Sequence, residues 1–328
     1  MAAPPGEFQL IAAFTRALPL RGEGVLLGPG DDAALLRPPR GEALVATVDA
    51  VEEGVHFDGR FTPAEVGWKA LAVNLSDLAA MGARPLWALV ALGVPAGATA
   101  ARLAGVARGL AACARRHGVA VVGGNVTRAP ALSVTVTVLG AVEARRALRR
   151  DGARPGDAVL LSGTVGDAAL GLARGAPAAL ARRQRRPEPR LELGRALRGL
   201  ASAAIDVSDG LVQDLGHLCR ASGVGASLRL AELPLSPAYR RATAGRDDPW
   251  REALSGGEDY ELCVTVPQRH LATALRRARQ IGVPLRVVGT VTRARGVQVA
   301  RPDGGHHPVM RGHDHLAAVR RLARPARF

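Results

Sequence analysis

The chain has 328 residues, a net charge of +15 and 48% hydrophobic residues. This length predicts two domains of roughly 150 residues each, and the balance of apolar and charged residues is typical of a globular protein. The longest uncharged run, 85–101, is short for a membrane span and is interrupted by glycine and proline. The N-terminal sequence lacks the pattern of a secretory signal. We therefore expect a cytoplasmic protein that does not bind membranes.

The basic charge favours nucleic acid as a partner, because clustered Lys and Arg release counterions from phosphates. The distribution of the charge argues against this class. Lys69 is the only lysine among 44 basic residues, and the arginines are scattered through an Ala- and Gly-rich chain. Aromatic residues make up 3% of the chain, too few for platforms on which bases stack. We expect no nucleic-acid partner and keep a basic nucleic-acid-binding protein as an alternative.

The first half of the chain is predicted to form one α/β unit. Two segments with helical periodicity are predicted at 64–80 and at 100–116, the second ending before Gly118. Apolar runs bounded by Gly or Pro predict the strands around them. These strands are expected at 24–28, 42–51, 118–124 and 131–142.

A second α/β unit follows a charged segment that ends in a Pro-Gly turn, 143–157, the best candidate for a domain boundary. We predict an N-terminal domain of residues 1–145 and a C-terminal domain of residues 146–328. The Arg-rich segment 182–190 has no role that we can assign beyond a solvated surface. The other elements expected are strands at 158–163, 203–207, 260–266 and 285–291, and helices at 166–173, at 210–221 and up to about residue 201.

Within the first predicted helix, Asn74 and Asp77 lie at i and i+3 beside an apolar face. A plain interpretation is an exposed polar stripe. Were the carboxylate buried, it would cost several kcal/mol unless a cation or hydrogen-bond donors compensated it.

Acidic residues in unexpected positions recur in four other segments, where they follow glycine or lie in apolar strands. Each alone has an ordinary explanation as a turn or a helix cap. Together, oxygen ligands without His or Cys clusters favour a hard cation, above all Mg²⁺. The residues are Asp31 and Asp32, Thr47 and Asp49 on one strand face, Asp206 and Asp209, and Glu258 and Asp259.

Glycine-rich loops at 28–30, 123–124 and 256–257 would let the backbone approach a phosphate closely. Carboxylates, Mg²⁺ and bare backbone together indicate an ATP site. The known nucleotide motifs are missing, because Lys69 is not in a P-loop, the protein-kinase residues are absent, and prolines replace the helix that a Rossmann glycine motif needs.

Several blocks of the sequence, in order, closely resemble the thiamine-monophosphate kinase family. The resemblance runs from "GEFQLI" at 6–11 to "GHDHL" at 312–316, nearly the whole chain. The blocks between them are "GPGDDAALL", "TVDAVEEGVHF", "WKALAVNLSDLAAMGA", "VVGGNVTR", "SGTVGDAALGLA", "AIDVSDGLVQDL" and "LSGGEDYEL".

The resemblance implies a two-domain α/β fold like that of aminoimidazole ribonucleotide synthetase, with the N-terminal domains pairing in a homodimer. It implies transfer of a phosphoryl group from ATP to thiamine monophosphate, giving ADP and thiamine diphosphate, with several Mg²⁺ ions. A sibling ATP-dependent synthetase is the alternative within the superfamily. The carbamoyl dehydratases have a cysteine-bearing tail, whereas this sequence ends in "RPARF". The selenophosphate synthetases have an early reactive cysteine, whereas the first cysteine here is Cys113.

The resemblance also implies roles for individual residues. Val48 would contribute its main-chain carbonyl, and Asn125 a neutral ligand where many relatives have Asp. The implied Mg²⁺ ligands are Asp32, Thr47, Val48, Asp49, Asp77, Asn125, Asp206 and Asp209, of which Asp49, Asp77 and Asp206 are the candidate catalytic residues. The implied nucleotide-binding residues are Gly124, Asn125, Arg150 and Ser208, and those facing the thiamine are His56, Glu258 and His313.

Overall fold

The computed structural model describes residues 14–308 and residue 312. The chain forms two compact units, one of residues up to 149 together with 185–199, the other of residues 150–184 and from 200 onward. The division at 149 falls within the charged segment 143–157, while 185–199 returns to the first unit. The exact boundary at 145 stays a prediction. The motif at 6–11 and the candidate residue His313 lie outside the described residues.

The described strands and helices alternate along both units. The strands are β1 (Val25–Leu27), β2 (Leu35–Leu36), β3 (Ala43–Glu52), β4 (Arg84–Val94), β5 (Ala120–Arg128), β6 (Ser133–Val142), β7 (Ala158–Ser162), β8 (Ala203–Asp206), β9 (Gly225–Arg229), β10 (Leu262–Val266), β11 (Leu285–Thr292) and β12 (Gly296–Ala300). The helices are α1 (Pro63–Ala80), α2 (Ala100–His117), α3 (Asp167–Gly171), α4 (Ala178–Arg185), α5 (Leu191–Leu197), α6 (Leu211–Ser222), α7 (Pro237–Thr243), α8 (Arg251–Ser255) and α9 (Gln268–Gln280).

Both helices predicted for the first unit are confirmed, and their ends follow from local chemistry. Thr62 and Glu65 form a capping box at the start of α1, where the Thr62 hydroxyl accepts from the Glu65 backbone N–H and the Glu65 carboxylate accepts in return. Pro63 occupies the first turn, where its missing N–H costs nothing. Helix α2 ends at Gly118, which adopts the left-handed conformation with φ of 69°.

The first unit holds a four-stranded sheet in the order β3-β6-β4-β5, with β4 and β5 parallel and the other neighbours antiparallel. Helix α1 contacts β3, β4, β6, α2 and α5. Strand β4 coincides with most of the interrupted apolar run at 85–101. Its apolar residues do not alternate cleanly with polar ones, so periodicity alone could not assign it.

Helix α1 is buried on nearly every side, which a helix with one apolar face would not be. Two glycines allow the close approach of α2. A Cβ on Gly67 would lie 1.9 Å from the Val106 carbonyl oxygen, and a Cβ on Gly109 would lie 1.8 Å from the Ala64 carbonyl oxygen. The two helix backbones are therefore in contact, and no side chain fits between them at these points.

The second unit is built on a six-stranded sheet in the order β12-β9-β11-β7-β10-β8. Its pairs are antiparallel except β12 with β9. Leucine and valine side chains from the sheet and from α6 form one apolar core, which includes Leu161, Ile205 and Leu215. The three cysteines of the chain are buried free thiols. Among the described helices, none combines the length and the apolar composition that crossing a membrane requires.

The Arg-rich segment 182–190 is partly packed rather than wholly solvated. In the first unit, the guanidinium of Arg186 lies 4.2 Å from the centre of the Trp68 ring, and the Trp68 indole N–H donates to the Pro187 carbonyl at 2.9 Å. In the second unit, Gln184 is 1% exposed. The arginines that stack on aromatic rings contribute apolar contact as well as charge.

His117, the last residue of α2, packs edge-on against Trp68 with the ring centres 6.4 Å apart. Its Nε2 is buried and has no hydrogen-bond partner in the described part of the chain. Burial, with a smaller contribution from the positive charge of Arg116, lowers the pKa of His117 to about 4. The imidazole is therefore neutral in the folded protein.

This lowered pKa predicts a loss of stability in acid. Between pH 6.5 and about 4 the unfolded chain binds a proton at His117 that the folded chain does not, so folding stability falls as the pH falls through this range. His117→Phe keeps a ring against Trp68 and removes the titration, so its melting temperature should depend less on pH there than that of the wild type. His270→Phe, in the second unit, is the control. If the melting temperatures of His117→Phe and the wild type depended equally on pH between 6.5 and about 4, the lowered pKa of His117 would be wrong.

Candidate active site

Asp77 faces strand β3 from helix α1. Every residue from 66 to 80 except Asp77 is buried, and Asp77 is partly exposed. The hydroxyl of Thr47 donates to Asp77 Oδ2 at 2.5 Å, across 30 residues of sequence. Because side chains alternate along a strand, Asp49 points to the same side of β3 as Thr47. The structure therefore brings three predicted site residues to one side of the sheet, with Thr47 and Asp77 in direct contact.

Asn74 lies one turn before Asp77 and is completely buried, so the exposed polar stripe that the sequence allowed is wrong. Its amide Nδ2 donates to the Ala70 carbonyl at 3.0 Å. Its Oδ1 is buried and accepts no hydrogen bond from the described residues. A buried oxygen without a donor costs about 1–3 kcal/mol. Asn74 thus presents an oxygen that could accept a hydrogen bond or coordinate a cation, from a rigid helix beside Asp77.

A cavity of about 690 Å³ opens on the other side of the same sheet. Its lining includes the loop that carries Asp31 and Asp32, and strand β5 at Gly124 and Asn125. Asp31 Oδ1 accepts from the Asp32 backbone N–H at 2.9 Å, which orders this loop. Predicted metal and nucleotide residues therefore line one mostly apolar cavity, the usual composition of a small-molecule site.

Gly124 also has a structural reason to be glycine. A Cβ at this position would lie 1.9 Å from the Val90 carbonyl oxygen on the neighbouring strand β4. The absence of a side chain is needed for strand packing whether or not a nucleotide approaches. Gly30 differs, since it has φ of 129° and no atom within 4 Å of an added Cβ, so its conformation rather than space requires glycine there.

In the second unit, a short loop connects the end of β8 to α6. Asp206 ends the strand and is 4% exposed. Asp214, in the first turn of α6, accepts at Oδ2 from the backbone N–H groups of Ser208 and Asp209 at 3.0 Å and of Gly210 at 3.1 Å. The loop that carries Ser208 and Asp209 is therefore fixed by a single buried carboxylate.

Asp214 was not among the residues singled out in the sequence. Burial raises its pKa to about 7, with the carboxylates of Asp206 and Asp209 also raising it and the backbone donors acting in the opposite direction. A signal was available, since an acidic residue in the first turn of a helix commonly reaches back to the free N–H groups that precede it.

The loop after α8 brings a second predicted residue to Ser208. The Glu258 backbone N–H donates to the Ser208 carbonyl at 2.8 Å, and a Cβ on Gly257 would lie 2.4 Å from the same oxygen. Glu258 and Tyr260 have positive φ of 69° and 51°, a conformation that is uncommon outside glycine and is concentrated at functional sites.

Two residues of the Arg-rich segment hold this loop from α4. Gln184 Nε2 donates to Glu258 Oε2 at 3.1 Å. Arg183 pairs with Glu261 at 2.6 Å, and Glu261 Oε2 also accepts from the Ser162 hydroxyl at 2.5 Å. Sequence reasoning missed these contacts because the partners are more than 70 residues apart and the segment is surrounded by exposed arginines.

The remaining predicted residues occupy two further positions. His56 lies in the turn between β3 and α1, where its Nδ1 accepts from the Glu52 backbone N–H at 3.1 Å. Arg150 is exposed at the start of the second unit. Burial lowers the pKa of His217, and the positive charges of Arg220 and, to a smaller extent, Arg150 lower it further.

Across residues 14–308 and 312, no three His, Cys, Asp or Glu side chains lie close enough to hold a metal ion. The Mg²⁺ ligand set stays a prediction.

Comparison with known proteins identifies both halves of the chain. Residues 30–142 match the family of AIR synthase related proteins, N-terminal domain, and residues 154–301 match the C-terminal domain of the same proteins. The chain is 42% identical over 327 residues to the thiamine-monophosphate kinase of Salmonella typhimurium strain LT2, covering 95% of this chain and 98% of that one.

Solved structures agree with this result. The crystal structure of thiamine-monophosphate kinase from Stenotrophomonas maltophilia has a TM-score of 0.83 and 43% identity, covering 92% of this chain and 98% of that one. AaThiL complexed with AMPPCP and TMP has a TM-score of 0.75 and 33% identity, covering 94% and 97%. The resemblance found in the sequence and the predicted two-domain α/β fold are confirmed. The chain belongs to the thiamine-monophosphate kinase family.

Proposed function

We propose that the chain transfers the γ-phosphoryl group of ATP to the phosphate of thiamine monophosphate, giving ADP and thiamine diphosphate. The relatives that cover nearly the whole chain carry the name of this activity. A relative of known structure holds AMPPCP and TMP together. Whether the chain acts in the cytoplasm stays a prediction.

The contact between Thr47 and Asp77 is the observation that carries the proposal. A carboxylate on a nearly completely buried helix is held against a strand hydroxyl at 2.5 Å, with Asp49 on the same strand face and the unpaired Oδ1 of Asn74 one turn away. Rigid elements on both sides fix these oxygens, which is the arrangement that precise alignment of a phosphoryl group needs.

These residues fit Mg²⁺ by the chemistry of their donors. All are oxygens, without the nitrogen or sulfur ligands that would favour zinc. We propose that Asp32, Thr47, Val48, Asp49, Asp77, Asn125, Asp206 and Asp209 hold several Mg²⁺ ions. Bound Mg²⁺ would neutralise the charge that two polyanionic substrates bring together.

The chain itself needs to supply alignment more than acid–base chemistry. The acceptor is a phosphate monoester whose second pKa is about 6, so its attacking oxygen is already ionised at neutral pH and no general base is required. We assign Gly124, Asn125, Arg150 and Ser208 to the nucleotide. The guanidinium of Arg150 would present paired N–H donors to phosphate oxygens. The apolar walls of the first-unit cavity would exclude water from the part of the nucleotide that they cover.

We also propose that two copies of the first unit pair in a homodimer. Alternate residues of β3 leave large apolar side chains exposed on the side of the sheet away from α1. Leu44 is 47% exposed and Val48 is 58% exposed. Exposed apolar side chains along one face of a strand support an interface at that face.

Product analysis tests the proposed reaction. We expect purified protein with Mg-ATP and thiamine monophosphate to form thiamine diphosphate and ADP in equal amounts, with no free phosphate. Phosphorus NMR measures all three products. Release of free phosphate with ADP and no thiamine diphosphate would instead identify a sibling synthetase. If no ATP is consumed, the protein would be a binding protein rather than an enzyme.

Asp77→Asn should abolish turnover while the protein remains folded, because the amide keeps the shape of the side chain and loses its charge. A decrease in kcat of at least about 1,000-fold is expected if the carboxylate acts on the transition state. Asp303→Asn, at an exposed carboxylate of the second unit, is the matched control and should leave kcat unchanged. Retention of most of the rate by Asp77→Asn, in the same continuous assay, would exclude the assigned role.

Leu44→Arg should convert the dimer to a monomer, since it places a charge in the proposed apolar interface. Light scattering coupled to size-exclusion chromatography measures the mass directly. Leu172→Arg, at a residue of the second unit that is also 46% exposed, should not change the mass. A wild-type protein that is monomeric at micromolar concentration would refute the homodimer.

A further inference from the structure

The only lysine of the chain is buried. Lys69 lies in α1 with 1% of its surface exposed, although lysine is among the residues least often buried completely. Its ammonium Nζ donates to the backbone carbonyl oxygen of His56 at 3.0 Å. A buried ammonium is costly unless acceptors compensate it, so the position of the His56 carbonyl and the position of Lys69 depend on each other.

The turn that presents His56 is held by local hydrogen bonds and, through Glu53, by an ion pair with Arg102 of α2 at 2.6 Å. The His56 backbone N–H donates to the Glu52 carbonyl at 2.9 Å, and the Gly54 N–H donates to the Phe57 carbonyl at 2.8 Å. The Glu52 N–H donates to His56 Nδ1, so the proton of the neutral imidazole lies on Nε2. Lys69 adds a contact that ties the His56 carbonyl of this turn to α1.

The Lys69 ammonium also lies near an aromatic ring. Lys69 Nζ lies 5.5 Å from the centre of the Phe61 ring, within range of a cation–π interaction. Phe61 in turn packs against Phe57, the residue after His56, with ring centres 6.1 Å apart. The ammonium therefore contacts a backbone carbonyl and an aromatic ring that both belong to the connection between β3 and α1.

Helix α1 connects this turn to the candidate catalytic contact. Lys69 and Asp77 are eight residues apart on the same helix, about 12 Å along its axis. Asp77 contacts Thr47 on β3, and the same strand leads into the turn that carries His56. The helix thus fixes the His56 carbonyl at one end and the Asp77 carboxylate nearer the other.

We infer that Lys69 is a positioning residue for thiamine monophosphate: its buried ammonium holds the His56 turn at a fixed distance from the Asp77–Thr47 contact. The inference rests on the proposed function and on the family resemblance, which implies that His56 faces the thiamine. Lys69 does not touch the reacting phosphates in this account. Its removal therefore affects how the thiamine end is held rather than the chemical step.

Kinetics of Lys69→Met test the inference, because methionine fills similar space without the charge or the N–H donors. We expect the KM for thiamine monophosphate to rise about tenfold, while kcat and the KM for ATP change by less than about threefold. The matched control is Arg115→Met, which removes another cation that donates to a backbone carbonyl of the first unit, that of Ala17 at 2.9 Å. It should leave both KM values unchanged. Equal changes in both KM values, or no change, would overturn the inference.

Hydrogen exchange provides a readout that does not depend on activity. In Lys69→Met the amides of residues 52–57 should exchange faster than in the wild type, while those of strand β6 should not. Unchanged exchange in the turn would overturn the inference even if the kinase activity is established. If the wild type forms no thiamine diphosphate, the proposed function fails, and the exchange result still decides whether Lys69 holds the turn. Should Lys69→Met not fold, Lys69→Gln takes its place under the same criteria.

Discussion

The burial of helix α1 is the constraint on which the first unit depends. The helix contacts three strands and two helices, and its backbone meets that of α2 at Gly67 and Gly109 with no room for a side chain. A polar group on such a helix cannot be explained by solvation. The buried side chains of Asn74 and Lys69 must each find a partner in the protein or in a ligand, whereas Asp77 is partly exposed and contacts Thr47. All three are connected to the candidate active site or to the turn beside it.

The second unit achieves rigidity in a different way, through buried carboxylates that accept from backbone or side-chain donors. Asp214 holds the loop of Ser208 and Asp209 by three N–H groups. Asp259, for which burial raises the pKa to about 8, accepts from the Gly166 N–H at 2.7 Å before α3. The loop of Glu258 is fastened to Ser208 by its backbone. These hydrogen bonds to buried carboxyl groups and backbone fix the conformation of both loops.

Local patterns in the sequence were sufficient for much of the fold. Helix α1 could be predicted from its periodicity and its capping box, and α2 from its terminal glycine. Strand β4 could not be predicted in this way, because an apolar run is compatible with either a buried strand or a buried helix. Strand β12 was missed as well, since its parallel pairing with β9 is a tertiary contact that no local pattern records.

The candidate site was predictable in its residue types but not in its contacts. Asp77 was conspicuous as a carboxylate in an apolar helix, whereas its bond to Thr47 joins residues 30 positions apart. Gln184 and Arg183 were hidden in a run of arginines, and their partners lie on a distant loop. Asn74 was visible in the sequence, but only the structure gives its complete burial and the unpaired oxygen.

We propose that the Asp77 carboxylate would hold Mg²⁺, which would neutralise charge during phosphoryl transfer. Electron paramagnetic resonance of Mn²⁺, titrated as a substitute for Mg²⁺ in the presence of a non-hydrolysable ATP analogue and thiamine monophosphate, measures the bound ions directly. The account predicts that Asp77→Asn binds fewer Mn²⁺ ions per chain than the wild type, or binds them at least about tenfold more weakly, and that Asp303→Asn binds as the wild type does. Equal number and affinity in Asp77→Asn would contradict it.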